Sequence, residues 1–244
     1  MRLVHGAMSL LAWQTALSDL VVAQASRAGS DQLSVTERLS DQERDWLVRV
    51  QSTPGFEVTC DVQRWWREFR VQTTAPLTLS LLGPGRREQV VAEFVRRNPN
   101  PSSFLIREAL PFLELASDVA ADEPHVREVA AFERAMLLLG QEIAAGAVAD
   151  PGEFHASAPL EAHPLAAIVQ FRAPPARVLS ATTTGTALPP IEDCLYPVLI
   201  APRLPNLARA CSADEVRGFR EVQRGSADER ALRSLWQAGA LRRR

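Results

Sequence analysis

Three stretches of the chain decide how most of it folds. Residues 86–97 read RREQVVAEFVRR, residues 104–113 read FLIREALPFL, and residues 124–135 read PHVREVAAFERA. In each stretch apolar residues recur every three or four positions with charged residues between them, which is typical of a helix with one buried side. The sequence therefore predicts a mainly helical region here, and these helices carry no catalytic constellation.

The composition is that of a folded protein with a nearly neutral surface. Of the 244 residues, 46% are hydrophobic and 23% are charged, and the formal net charge is −2. All 27 basic residues are arginine. A chain with this balance has enough apolar residues to form a core, and its net charge provides no general attraction to nucleic acid.

The cysteines and the first residues favour a reducing compartment. Cys60, Cys194 and Cys211 are odd in number and irregularly spaced, which is typical of free thiols rather than of a disulfide framework or a zinc cluster. The first residues lack the features of a signal peptide, and no apolar run approaches the roughly 18–20 residues of a membrane span. We therefore expect a cytoplasmic protein without membrane contact.

Residues 61–72 combine aromatic side chains with arginines. Trp65, Trp66 and Phe69 alternate with Arg64, Arg67 and Arg70 in this segment. One interpretation is a helix that buries its aromatic side chains beneath an arginine face. The other is a docking surface, because exposed tryptophan and arginine are the residues that most often anchor protein interfaces. A nucleic-acid site could also combine these residue types, but three arginines are weak support for it.

The C-terminal third has a different composition and a different predicted structure. Residues 147–164 lack periodicity and are expected to form a linker. Residues 165–171 and 195–200 are predicted strands, residues 207–211 return as a hairpin, and Ser212 opens a helix through a capping box with Glu215. Residues 226–241 are predicted to form the last helix. The predicted fold class is therefore α+β, with a mainly helical domain over 1–146 and a small α+β unit over 165–244.

No catalytic constellation is present in the sequence. It contains no glycine-rich phosphate loop and no nucleophile elbow. The four histidines lack the spacing of metal ligands, and Cys60 and Cys194 have no histidine near them in sequence. We therefore expect a protein that is not an enzyme by itself and that carries no cofactor or metal.

Five short motifs occur in a fixed order between residues 60 and 145. They are Trp65-Trp66-Arg67-Glu68-Phe69-Arg70, Phe94-Val95-Arg96, Pro101-Ser102-Ser103, Pro111-Phe112-Leu113 and Phe132-Glu133-Arg134-Ala135. In this pattern residues 60–145 resemble the helical domain of the accessory subunits that accompany TIM-barrel, multinuclear iron oxygenases, and residues 165–241 resemble the same subunits more loosely. The group includes the partner subunits of methanobactin biosynthesis and of 3-thiaglutamate biosynthesis, and the length of this chain favours the second type.

The resemblance implies a heterodimer in which the partner holds the iron and carries out the oxidation. The accessory subunit docks on the barrel and recruits a ribosomally made precursor peptide through its leader. In the 3-thiaglutamate type, the complex excises the β-carbon of a C-terminal cysteine on the carrier peptide. In such subunits a winged-helix-like unit binds the leader, which adds as a strand to a sheet edge beside a helix.

Two sets of candidate site residues follow from this resemblance and from the residue types. The candidate docking residues are Trp65, Trp66, Phe69 and Arg70. The candidate peptide-binding residues are Leu207, Arg209, Cys211, Val216, Phe219 and Arg220. The hairpin could instead be a structural sheet edge, since Pro197 and Pro202 limit the amides on its first strand.

Two other functions remain open at the level of sequence. The first is a DNA-binding winged-helix regulator, in which Arg217, Arg220 and Arg224 would supply the positive charge of the recognition helix. Asp214 and neighbouring glutamates offset this charge, and the isoelectric point of about 6.1 also disfavours a DNA-binding protein. The second is a stand-alone enzyme, which the missing catalytic motifs disfavour.

Overall fold

A computed structural model describes residues 10–25, 39–98, 105–146, 152–155, 157–222 and 228–244. These residues form a mainly helical structure with a small antiparallel sheet region, so the broad α+β class is confirmed. The helices are α1 Leu10–Ala25, α2 Asp41–Gln51, α3 Pro54–Thr74, α4 Pro76–Leu81, α5 Pro84–Arg97, α6 Leu105–Val119, α7 Pro124–Ala144, α8 Pro175–Thr184, α9 Ala213–Glu221 and α10 Glu229–Gln237. The strands are β1 Leu160–Ala162, β2 Ala167–Phe171, β3 Tyr196–Ile200, β4 Ala208–Ala210 and β5 Leu241–Arg243.

Local signals set where these helices begin. Five of the described helices (α3, α4, α5, α7 and α8) start with proline, which suits the first turn because its missing N–H has no partner there. Ser40 with Glu43 and Ser212 with Glu215 each form a capping box, the second of them as predicted. Over the part of the chain that the structure describes, no helix is both long enough and apolar enough to cross a bilayer.

The chain divides into two compact units, of which the first contains Met1–Thr73 and Pro84–Glu108. Its core includes the apolar side of α5, where Val90, Val91, Phe94 and Val95 are each at most 2% exposed. This confirms the periodicity of residues 86–97. Helix α3 carries the candidate docking residues, and it belongs to this unit up to Thr73.

The second unit contains Thr74–Gly83 and Ala109–Arg244 and is built around the sheet β2-β3-β4. All its strands are antiparallel, and Leu199 of β3 pairs with Ile168 of β2 and Arg209 of β4. Side chains on one face, such as Leu199, pack with α9 and α10, whereas those on the other, such as Val198, pack with α7 and α8. β4 is therefore an edge strand whose side chains on one face lie next to α9.

The chain end forms a strand where the sequence suggested a helix. Residues 226–241 were expected to be helical, but α10 ends at Gln237 and β5 pairs with β1. Gly239 makes this turn at φ +73°, and a Cβ there would lie 2.8 Å from Cγ of Arg203. Because β1 lies within residues 147–164, the later part of the expected linker is ordered structure. The predicted functional division at 146 and 165 stays a prediction.

Glu133 is a buried carboxylate, and such a group must be paired. In the structure its two oxygens accept the backbone N–H groups of Leu77 and Thr78, each at 2.8 Å. These amides lie in the first turn of α4, where a helix has no internal acceptors, so Glu133 of α7 caps α4 from outside.

Candidate partner-docking face and peptide-binding edge

Helix α3 exposes a continuous apolar stripe. Trp65 is 60% exposed, and Trp66 and Phe69 are each 43% exposed. Val58 and Val62, at 61% and 51%, extend the stripe by two further turns at helical spacing. The interpretation in which this helix buries its aromatic residues is therefore wrong. We call these five residues the α3 apolar face.

The three aromatic rings of this face are stacked on one another. Each pair among Trp65, Trp66 and Phe69 has its ring centroids 5.5 Å apart, with interplanar angles of 8° to 27°. Mutual stacking restricts the side chains before any partner binds. Less rotamer entropy is then lost on association, which favours the use of these rings as anchors.

The central arginine of this helix is buried. Arg67 is 4% exposed, its Nε donates to Oε2 of Glu108 at 2.8 Å, and its Nη1 donates to the carbonyl of Asn98 at 2.8 Å. The ring of Phe94 packs against the guanidinium at 4.8 Å. Burial lowers the pKa of Arg67, and the charge and hydrogen bond of Glu108 oppose that shift. Arg67 therefore supports the structure of this unit rather than its surface charge.

The other arginines of α3 also face carboxylates. Arg64 lies 3.4 Å from a carboxylate oxygen of Glu88, and Arg70 lies 3.9 Å from Oε1 of Glu108. The guanidinium of Arg70 also lies 5.6 Å from the ring of Trp66. The arginines that border the α3 apolar face therefore have their charge largely balanced by carboxylates. Such surroundings favour contact with an apolar protein surface over contact with a polyanion.

The backbone groups of β4 point alternately towards β3 and away from it. The carbonyl of Leu207 accepts the N–H of Ala201 at 3.0 Å, and the N–H of Cys211 donates to the carbonyl of Pro197 at 2.9 Å. In an antiparallel ladder the inward and outward backbone groups alternate along a strand. The outward groups of β4 therefore belong to Ala208 and Ala210, and the carbonyl of Ala210 also accepts a hydrogen bond from Nη1 of Arg209 at 2.9 Å.

Arg209 is held in place by neighbours on the same unit. Its guanidinium donates to both oxygens of Glu215, at 3.0 and 2.5 Å, and to the hydroxyl of Ser234 at 3.1 Å. Burial alone would raise the pKa of Glu215, but the hydrogen bonds from Arg209, Ser212 and Ser234 lower it to about 2. The side chain expected to contact a peptide thus stabilises the junction of β4 with α9 and α10.

The remaining predicted peptide-binding residues lie on or under the same junction. Cys211 is 8% exposed, and burial raises the pKa of its thiol to about 12. Val216 and Phe219 are half-buried against the core that contains Trp236. Arg220 is exposed. Their role in peptide binding stays a prediction, with Val216, Phe219 and Arg220 nearest to the solvent.

Nothing in the described parts of the chain forms a group of three or more histidine, cysteine and acidic residues arranged to hold a metal ion. Neither a scan against known protein families nor a search of curated protein sequences finds a match to this chain.

Proposed function

We propose that this chain is a non-catalytic partner subunit that docks on a TIM-barrel, multinuclear iron oxygenase and recruits its peptide substrate. The observation that carries the proposal is the α3 apolar face. Three stacked aromatic rings exposed on one helix are costly in water unless they are covered by another surface. The resemblance of residues 60–145 to accessory subunits of such oxygenases names the partner.

The surroundings of the face support a protein partner over nucleic acid. The arginines of α3 lie against carboxylates, so little free positive charge borders the rings. Tryptophan and phenylalanine surrounded by balanced charge are typical of the centre of a protein interface. The occupant of this face is then an apolar patch on the barrel subunit.

Recruitment of the peptide takes place at the edge of β4 in this proposal. A leader segment in extended conformation adds to β4 through the outward backbone groups of Ala208 and Ala210. Side chains of the leader then lie along α9, where Val216 and Phe219 offer apolar contact and Arg220 offers charge. This arrangement makes residues 165–244 a winged-helix-like recognition unit.

The chemistry belongs to the partner in this proposal. The barrel subunit holds the iron, and the precursor peptide delivered by this chain is oxidised at its C-terminal cysteine with excision of the β-carbon, as in 3-thiaglutamate biosynthesis. The complex works in the cytoplasm. This chain contributes affinity and position, and it supplies no catalytic residue.

Co-expression of the tagged chain with the proteins encoded by its neighbouring genes tests the proposal, and the partner recovered with it should be a TIM-barrel protein. We expect a one-to-one complex that contains iron, and we expect replacement of Trp65, Trp66 and Phe69 by alanine to abolish it. Trp46→Ala serves as the matched control, because this tryptophan is 47% exposed on α2 and lies outside the face. Recovery of the chain alone, as a dimer of itself, or with DNA in a salt-dependent complex would overturn the proposal.

A further inference from the structure

His125 lies between two hydrogen-bond acceptors near the start of α7. Its Nε2 is 2.9 Å from the carbonyl oxygen of Pro189, in the segment between α8 and β3. Its Nδ1 is 3.6 Å from Oε2 of Glu128, and the two side chains are only 11% and 8% exposed. Both Nδ1 and Oε2 are buried, and neither has a hydrogen-bond partner among the residues that the structure describes.

The number of donors at His125 is the difficulty. A neutral imidazole carries a single N–H, on one of its two nitrogens. If Nε2 holds the proton, it donates to Pro189, and the lone pair of Nδ1 then faces the carboxylate of Glu128. If Nδ1 holds the proton, Nε2 becomes an acceptor opposite the carbonyl of Pro189. Either arrangement leaves two buried acceptors facing each other, which native structures avoid. One additional proton, on Nδ1 or on Oε2, removes the conflict.

Glu128 connects to the same segment by a second route. Its Oε1 accepts the backbone N–H of Arg172 at 2.9 Å. The carbonyl of Arg172 in turn accepts the N–H of Glu192 at 2.7 Å. Residues 185–195 have no regular secondary structure and are mostly exposed, so few buried contacts hold them in place. Two of the hydrogen bonds that attach this segment therefore lead back to one buried pair of side chains.

We propose that a proton shared by His125 and Glu128 acts as a pH-dependent clasp on residues 185–195. With the proton in place, the imidazole donates to Pro189 and also forms a hydrogen bond with the carboxyl group of Glu128. When the proton leaves, the imidazole can donate to only one of the two acceptors, and its hold on Pro189 weakens. The clasp does not rest on the proposed function. The segment that it holds carries three exposed apolar side chains, those of Leu188, Ile191 and Leu195.

The surroundings of the pair support retention of this proton. Burial raises the pKa of Glu128, and this effect exceeds the lowering by the Arg172 N–H, by His125 and by the charge of Arg172. The carboxylate of Glu192 accepts hydrogen bonds from the hydroxyl of Tyr196 and the thiol of Cys194. Solvent reaches and screens the other charged residues on these elements, which are Asp122, Glu123, Arg127, Arg177 and Asp193.

The raised pKa of Glu128 gives the direction of the pH effect. The folded chain holds this proton more tightly than the unfolded chain does. The clasp is therefore complete below pH 4.5, the ordinary pKa of the carboxyl group, and it is lost as the pH rises through the raised value.

Amide hydrogen exchange of the full chain, followed by NMR between pH 4.5 and about 8, tests the clasp. The amide of Glu192 reports whether the segment stays attached, because it donates to the carbonyl of Arg172. Its protection factor, which is taken relative to an unstructured peptide at the same pH, should fall by about tenfold as the pH rises. A change of this size corresponds to the loss of about one net hydrogen bond.

Two variants and one control tie the effect to the pair. Glu128→Gln carries a permanent amide donor that can face Nδ1, and its oxygen can still accept from Arg172, so protection should stay high at every pH. His125→Phe keeps a ring of similar shape without nitrogens, so protection should be low at every pH. Glu114→Gln should behave as the natural chain does, because this side chain is 62% exposed on α6.

The imidazole nitrogen signals of His125 and the carboxyl carbon signal of Glu128 provide a readout that needs no variant. We expect both to change over the same pH interval, with Nε2 protonated on the acidic side of it. The proposal fails if the protection of the Glu192 amide is independent of pH, or if Glu128→Gln keeps the pH dependence of the natural chain. It also fails if the two side-chain signals change over separate intervals.

Discussion

Trp66 and Arg67 are adjacent in the chain and lie in opposite environments: the indole is 43% exposed, whereas Arg67 is 4% exposed. Successive residues of an α-helix point about 100° apart, so neighbours can lie on different faces. Glu108 of α6 provides the carboxylate that makes burial of the guanidinium possible. The tryptophans then remain on the side of α3 that no described residue covers.

Trp66→Ala should weaken binding to the barrel partner by about 2 kcal/mol, or roughly 30-fold in Kd. The indole is a stacked ring on the α3 apolar face, and it adds little to the core because it is half exposed. Calorimetric titration of the purified subunits measures the change, with urea unfolding as the check on stability. A loss below about 0.5 kcal/mol with an intact fold would exclude Trp66 as an anchor.

Arg67→Met should destabilise the chain by about 3–5 kcal/mol, because it leaves Glu108 buried without its closest cation. The double variant Arg67→Met with Glu108→Leu should recover much of this loss, since neither charge remains. Urea midpoints for both variants measure the difference. Equal loss in the single and double variants would show that the two residues do not act as a pair.

Glu133→Ala should cost about 2–4 kcal/mol of unfolding free energy. The substitution removes the acceptor of two backbone N–H groups at the start of α4, those of Leu77 and Thr78. Glu114→Ala is the matched control, because its side chain is 62% exposed and its contact with Arg134 is 3.4 Å long. Similar losses for the two variants would contradict a capping role for Glu133.

Glu215→Gln should remove a pH-dependent part of the stability. Because the pKa of Glu215 is lowered from 4.5 to about 2 in the folded chain, its contribution is present above pH 4.5 and is lost as the pH falls towards 2. The difference in unfolding free energy between the natural chain and the variant should therefore shrink across this window. Urea unfolding at several pH values measures it.

Glu93→Gln provides the comparison for that experiment. Hydrogen bonds from Arg96 and Arg97 also lower the pKa of Glu93 to about 2, but these arginines lie at the surface. Solvent screens such pairs, so we expect a smaller change over the same pH range. A larger effect at Glu93 than at Glu215 would count against the importance of the junction of β4 with α9.

Methylation of alternate backbone nitrogens in the leader peptide should affect its binding to this chain in only one of the two possible registers. Addition of a strand at β4 uses the N–H and carbonyl groups of every second residue of the peptide, so one methylation register should abolish binding and the other should have little effect. Fluorescence anisotropy with a labelled precursor peptide that binds the natural chain measures both registers. Equal affinity in the two registers would rule out strand addition.

Local features of the fold could be predicted from the chain alone. The capping boxes at Ser40 and Ser212, the apolar side of α5 and the β3-β4 hairpin all depend on residues close in sequence. The residue types of Trp65, Trp66 and Phe69 left burial and exposure both open, and only their spacing with Val58 and Val62 could have indicated a continuous face. These signals are readable because neighbours within a turn or a hairpin determine them.

What the chain alone determined, then, are its helices, its hairpin and their caps, since short-range geometry and propensity are enough for them. Only the tertiary structure decided which face of α3 is buried. Arg67 pairs with Glu108, which is 41 positions away in the sequence, and this pairing sets the exposure of the tryptophans. The pairing of β1 with β5 and the capping of α4 by Glu133 also join segments that are distant in sequence, so only the tertiary structure decided them. Periodicity identifies the faces of an element, but the partner that satisfies a buried polar group comes from a distant segment.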